Sequence, residues 1–119
     1  MPNETLNKFL ALCAEDAALK SFARNRKTNA HFRITDTGEQ FYIAFDGGTV
    51  TTGTDAPGTS PDLVLSMSSQ TLNNLMSGKL HGEMAVMTGQ LYVSDEWRAM
   101  DMQGIQRDLI RLYQQAASS

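Results

Sequence analysis

The spacing of hydrophobic residues changes several times along the chain, and each change predicts a change of secondary structure. Spacings of three and four residues predict a first helix over about 4–25, whose apolar face carries Leu6, Phe9, Leu10, Cys13 and Ala17. Alternation of polar and apolar residues then predicts strands over 31–35, 40–45 and 49–54. Because only short turns containing glycine separate these strands, we expect them to be antiparallel neighbours.

The second half of the chain predicts two more strands and three more helices. The proline- and glycine-containing segment 55–61 is expected to be a surface loop. After it the pattern predicts a strand over 62–67, a short helix capped by Ser68 or Ser69, a second short helix over about 82–88, a strand over 90–93, and a last helix from Ser94 or Asp95 to about Ala116.

The last helix carries more apolar residues than one face can hold. Its main apolar face is predicted to consist of Met102, Ile105, Leu109, Leu112 and Tyr113, whereas Trp97 and Met100 project elsewhere. Gly104 separates the two sets. Either Gly104 marks a kink, or the helix contacts apolar groups on two sides.

Composition restricts the classes of function. The chain has 119 residues, the size of a single domain spanning 1–119, and a net charge of −3. That charge, with no stripe of Lys and Arg, argues against a nucleic-acid partner. One cysteine and two histidines are too few for a metal cluster, so neither a metal nor another cofactor is expected. Since no secretory signal is visible, we expect a cytoplasmic protein.

Methionine is concentrated in one part of the chain. Six of the seven methionines lie between Met67 and Met102. This flexible, polarizable side chain adapts to irregular spaces. The cluster therefore has two equally good explanations: gap-filling in a solid core, or the wall of a cavity that adapts to its ligand.

Three segments carry a resemblance to a known family. They are Pro61-Asp62-Leu63-Val64-Leu65-Ser66-Met67-Ser68, Leu75-Met76-Ser77-Gly78-Lys79-Leu80 and Ala85-Val86-Met87-Thr88-Gly89-Gln90-Leu91-Tyr92-Val93. In this order and spacing they resemble the sterol carrier protein 2 family of lipid-binding domains, over about 32–112. The chain departs from the family pattern at His81-Gly82, at Gln90 and at Ser94-Asp95.

The resemblance implies an α/β (α+β) fold. It comprises a five-stranded mixed, mostly antiparallel sheet with helices over one face, and an apolar tunnel between the two layers. Members hold sterols, fatty acids, acyl-CoAs or other lipids there. The residues expected to line the tunnel, with Gln103 as one polar anchor, are Phe32, Ile34, Ile43, Phe45, Leu72, Leu75, Met76, Met84, Met87, Met100, Met102, Gln103, Ile105 and Leu109. A closed core made of the same side chains is the alternative.

The predicted function is non-catalytic lipid binding or transport, since no acid–base pair, nucleophile motif or metal-ligand set is evident. The expected partner is a small-molecule lipid such as a fatty acid, an acyl-CoA, a sterol-like lipid or an isoprenoid, with transient contact to a membrane or an enzyme. The alternative is a dimerisation or accessory module for a lipid- or quinone-related enzyme system, using apolar surface near Trp97 and Ile110. Under either function, the chain is expected to be a monomer or a homodimer. His31 is expected at the surface and Cys13 in the interior.

Overall fold

Five strands form one sheet in a computed structural model, which describes residues 3–54 and 60–118. The strands are β1 (Lys27–Ile34), β2 (Gln40–Asp46), β3 (Thr49–Gly53), β4 (Leu63–Met67) and β5 (Leu91–Val93). They lie in the order β3-β2-β1-β4-β5. β1 pairs with β4 in parallel, and the other three pairs are antiparallel, which confirms the predicted mixed sheet. Most of the loop predicted over 55–61 lies outside the described residues.

The helices cover the face of the sheet that carries the large apolar side chains. They are α1 (Asn3–Glu15), α2 (Ala17–Ala23), α3 (Ser69–Met76), α4 (Gly82–Met87), α5 (Glu96–Met102) and α6 (Gln106–Ser118). Every second residue of β2 and β4 is buried beneath them, as the alternating pattern of these strands predicts. α1 packs against β3 and α6, so the two ends of the described chain lie close together.

The first helix of the sequence prediction is two helices. Asp16 ends α1 and caps α2, because its carboxylate accepts hydrogen bonds from the backbone N–H groups of Ala18 (3.1 Å) and Leu19 (3.2 Å). The break turns α2 so that Leu19 and Ala23 are buried, while Ala17, predicted on the apolar face, is exposed. The prediction of one continuous helix was therefore wrong at this point.

The last helix is also broken, and here the sequence offered the correct alternative. Gln103–Ile105 form a 3-10 turn between α5 and α6, so Gly104 does mark a kink. Ile105 and Leu109 lie in the core on the predicted face. Trp97 and Met100 extend into solvent with 82% and 60% of their surface exposed.

His31 is buried, contrary to expectation. It lies on the central strand β1, where the strand register places Tyr42 on one side and Val64 on the other. The His31 ring is 6.2 Å from the Tyr42 ring, and its Nε2 atom has no hydrogen-bond partner among the described residues. Burial, aided by the charge of Arg33, lowers the pKa of His31 below its usual value.

Candidate ligand-binding cavity

A small cavity lies between the sheet and the helices, at the β5 end of the sheet. Its volume is about 90 Å³ and it is partly open to the surface. β1, β4 and β5 form its floor, and α3, α4, α5 and the start of α6 form its roof. The residues that line it are Phe32, Leu65, Met67, Leu91 and Val93 from the strands, and Leu72, Leu75, Met76, Gly82, Val86, Ala99, Met102, Gln103, Gln106, Leu109 and Ile110 from the helical side.

The floor is held in place by strand geometry and by ring stacking. In β4, alternation directs Leu65 and Met67 to the same face, next to Phe32 of β1. The Phe32 ring stacks on the Phe41 ring, with centroids 4.6 Å apart and an angle of 9° between the planes. This stacking, between residues that are directly opposite in the register, fixes one wall of the cavity.

α3 supplies the side chains opposite this floor. Its N-terminus is capped by Ser68, whose hydroxyl accepts a hydrogen bond from the Thr71 N–H at 3.2 Å. The spacing of three and four residues then places Leu72, Leu75 and Met76 on one buried face. The predicted cap and apolar face of this helix are both confirmed.

α5 closes the roof and is anchored by polar contacts on its outer side. Asp95 caps it by accepting from the N–H groups of Trp97 and Arg98. Arg26, just before β1, donates two hydrogen bonds to the Asp101 carboxylate at 2.6 and 2.8 Å, and this pairing lowers the pKa of Asp101. Ala99 and Met102 project from α5 towards the cavity.

None of the described residues that line the cavity has an ionisable side chain. Apart from Gly82 and two glutamines, all lining residues are apolar. Gln106 joins the start of α6 to the start of α4, since its Oε1 atom accepts a long hydrogen bond of 3.4 Å from the Gly82 N–H. Such a surface favours contact with hydrocarbon.

Half of the residues predicted to line a tunnel lie around this cavity. They are Phe32, Leu72, Leu75, Met76, Met102, Gln103 and Leu109. The structure does not bring the other half to it. Ile34, Ile43, Phe45 and Ile105 are buried in other parts of the core, where Phe45, for example, packs against Phe22 at 5.0 Å.

Three of the predicted methionines are on the surface. Met84, Met87 and Met100 are 51%, 75% and 60% exposed. In the six-residue helix α4 the inward positions belong to Ala85 and Val86 instead. A helix this short has too few residues for its periodicity to define an inner face, which is why the sequence prediction assigned Met84 and Met87 to the wall.

The sequence prediction also missed several wall residues. Leu65, Met67, Leu91 and Val93 were recognised as strand residues but not as part of a site, because their contact with α3 and α5 depends on the tertiary arrangement. Ala99 was missed because it is small. The alternating pattern of β4 is the one signal that could have identified Leu65 and Met67 in advance.

The one cysteine of the chain, Cys13, is buried outside the cavity. Burial raises the pKa of the Cys13 thiol to about 12, with a further contribution from Asp16, so this cysteine stays protonated. No group of three or more His, Cys, Asp or Glu side chains within residues 3–54 and 60–118 could hold a metal ion. Across the same residues, no helix has the length and apolar character needed to cross a bilayer.

Comparison with known families and structures gives a consistent result. The model of a family described as the SCP-2 sterol transfer family matches residues 6–105. No curated protein is significantly similar to the chain in sequence. Several solved structures share the fold at low sequence identity.

Sterol carrier protein 2 from Yarrowia lipolytica, in its apo form, is 17% identical with a TM-score of 0.69, over 92% of this chain and 89% of that one. A protein described as UbiJ-SCP2 ubiquinone synthesis protein is 14% identical with a TM-score of 0.56, over 96% and 91%. The sec-alkylsulfatase Pisa1 from Pseudomonas sp. is 14% identical with a TM-score of 0.67 over 87% of this chain, which spans only 16% of that enzyme. These similarities establish a shared fold.

Proposed function

The chain belongs to the SCP-2 sterol transfer family, and from this premise we propose that it is a non-catalytic cytoplasmic lipid carrier. In this proposal the cavity holds the hydrocarbon part of a fatty acid, an acyl-CoA, a sterol-like lipid or an isoprenoid. The observation that carries the proposal is the cavity wall itself, which is apolar on every side except at Gln103 and Gln106.

The energetics of such binding depend on how much hydrocarbon is buried. Each buried methylene contributes about 0.8 kcal/mol, so ten contribute roughly 8 kcal/mol. Association costs on the order of 4–15 kcal/mol in lost freedom. A longer chain, which buries more methylenes, therefore binds more tightly than a shorter one, and any rearrangement of the cavity lowers the affinity for both.

The size of the cavity means that binding has to widen it. Ligand sites for small molecules typically measure roughly 300–1,000 Å³, whereas this cavity measures about 90 Å³. The wall contains Met67, Met76 and Met102, whose flexible side chains can change rotamer more easily than branched ones. In the proposed carrier the helical roof moves outwards when a lipid binds.

The test is to fill the cavity with a side chain. Ala99→Phe adds a ring on the cavity side of α5, and Ala11→Phe, at an exposed position of α1, is the matched control. Displacement of a fluorescent C16 fatty acid should show that Ala99→Phe binds at least about tenfold more weakly, because the added ring takes up space that the lipid tail needs. A tenfold change in the dissociation constant corresponds to about 1.4 kcal/mol of binding free energy. Ala11→Phe should bind like the unmodified protein, and circular dichroism should show that both variants fold.

Two results would contradict the proposal. One is the absence of any fatty-acid binding by the unmodified protein. The other is equal binding by Ala99→Phe and the unmodified protein, which would place the ligand elsewhere.

A second candidate function is that of a dimerisation or accessory module in a lipid- or quinone-related enzyme system. It is favoured by the large apolar side chains that are exposed in one stretch of the chain, namely Met84, Met87, Tyr92, Trp97 and Met100. The similarity of fold to a protein described as a ubiquinone synthesis protein agrees with it. Sedimentation at micromolar concentration distinguishes a dimer from a monomer, and a monomer throughout that range argues against a dimer face.

A further inference from the structure

A second, polar cleft adjoins the apolar cavity. It has a volume of about 620 Å³ and lies between the turn that joins α3 to α4 and the turn that joins α5 to α6. Gly78, Leu80 and His81 form one side, and Gly104, Arg107 and Asp108 form the other. Gln103, Gln106 and Ile110 line both the cleft and the cavity, so the two spaces meet at these residues.

The cleft is lined by one cation, Arg107, and one anion, Asp108, and only the anion has an ion-pair partner among the described residues. The Asp108 carboxylate is paired with Arg111 at 3.3 Å. Arg107 has no ion pair among the described residues. Glu83, in the first turn of α4, is exposed and is not among the residues that line the cleft. The guanidinium of Arg107 is therefore the charged group of the cleft that is available to a ligand.

Side chains that can form hydrogen bonds lie beside Arg107, where the cleft meets the cavity. The Gln103 side chain has no hydrogen bond within the described residues, and Gln106 uses only its oxygen, in the long bond to Gly82. His81 caps α4 by position but makes no capping hydrogen bond through its side chain. The Gln103 amide, the NH2 group of Gln106 and the His81 imidazole can thus bind a polar group that sits at the edge of the apolar cavity.

We propose that this cleft, lined by Gln103, Gln106 and Arg107, is a headgroup subsite that selects single-chain lipids with an anionic headgroup. The tail enters the apolar cavity and the carboxylate or phosphate lies in the cleft. The guanidinium donates to its oxygens in the planar geometry that suits these anions. This inference rests on the proposed lipid-carrier function, because the tail must occupy the cavity for the headgroup to reach Arg107.

The experiment compares two ligands of equal chain length that differ in headgroup charge. Dodecanoate and dodecanol are titrated at pH 8 into the unmodified protein, Arg107→Gln and Arg33→Gln. Arg33 is an exposed arginine of β1 that does not line the cleft and has no ion pair among the described residues, so it serves as the matched control. Calorimetry or displacement of a fluorescent probe gives the dissociation constants.

The unmodified protein should bind dodecanoate about tenfold more tightly than dodecanol, as expected for a partly exposed charge-assisted contact. Arg107→Gln should remove that preference by weakening dodecanoate alone, and Arg33→Gln should retain it. Equal affinities of the unmodified protein for the two ligands, or equal weakening of both by Arg107→Gln, would overturn the subsite while leaving the carrier function intact. Binding of neither ligand would overturn both.

A further arm separates a lipid headgroup from a free anion. Inorganic phosphate at millimolar concentration should neither bind measurably nor displace dodecanoate, because it lacks the apolar tail. Saturable binding of phosphate that depends on Arg107 would show an anion site that needs no lipid, and would overturn the proposal.

Discussion

His31 lies on the central strand of the sheet, and its Nε2 atom has no hydrogen-bond partner within the part of the chain that the structure describes, which has a consequence for stability. Its pKa in the folded protein is lowered, chiefly by burial and then by Arg33, from the ordinary value of 6.5. Below that value the unfolded chain takes up a proton on His31 that the folded protein does not. The unfolded state is therefore favoured as the pH falls from 6.5 towards the lowered pKa.

We accordingly predict that the free energy of unfolding decreases between pH 7 and pH 5, and that His31→Phe reduces this decrease. Phenylalanine retains a ring against Tyr42 and does not titrate. Urea denaturation across this pH range measures the effect.

The same pH profile in the unmodified protein and in His31→Phe would show that His31 does not contribute. The lowered pKa values of Asp36 and Asp101 do not interfere, because the stabilisation they provide is lost below the ordinary pKa of an aspartate, near 3.8.

At the scale of single residues, the sequence predicted burial well where periodicity was strong. Cys13, Leu72 and Leu109 are in the core as expected. The sequence did not predict the burial of His31. Alternation shows which residues share a face of a strand, but whether that face meets solvent or other residues depends on the order of the strands. The sequence prediction assigned Met87 to the cavity because apolar character indicates burial only on average.

Asp16 determines the geometry of the first two helices, and the periodic pattern gave no sign of it. The apolar residues continue across the break at suitable spacing, so a single helix was the simpler prediction. The structure shows an aspartate that caps α2 and also accepts a hydrogen bond from Arg111 of α6 at 3.0 Å. An aspartate in the sequence can cap a helix, but it shows that a new helix begins only when the preceding helix is known to end there.

We predict that Asp16→Ala lowers the free energy of unfolding by about 1–2 kcal/mol, the usual cost of losing an N-cap together with a partly buried ion pair. Asp16→Asn should lose much less, because asparagine caps nearly as well and only the charge is removed. Urea unfolding at pH 7 measures both. Equal losses in the two variants would mean that the charge, and not the cap, matters at this position.

Strands were the most predictable elements, and their pairing was predictable only in part. The short turns between β1, β2 and β3 predicted that these strands are antiparallel neighbours, and the structure confirms it. The parallel pairing of β1 with β4 was not evident from local patterns, because it joins segments about 33 residues apart in the register. It entered the prediction only through the resemblance to a family with a mixed sheet.

For the whole molecule, the main question raised by the sequence was whether the apolar side chains form a cavity or a solid core. Most of the interior is solid, with Phe45 and Ile43 fully enclosed. A cavity of about 90 Å³ remains at the β5 end. Its position depends on how β4, α3 and α5 are arranged around it, which no local pattern encodes, so half of the residues predicted for the tunnel lie around the cavity and half lie elsewhere.

Methionine methyl groups offer the most direct test of where a lipid tail binds, because they occur both inside and outside the cavity. Met67, Met76 and Met102 line it, whereas Met84, Met87 and Met100 are exposed. Protein labelled with carbon-13 at the methionine methyls, assigned through single Met→Leu variants, is combined with dodecanoate, and nuclear Overhauser contacts to the chain methylenes are recorded. The account predicts contacts to Met67, Met76 and Met102; contacts confined to Met84, Met87 and Met100, or none at all, would contradict it.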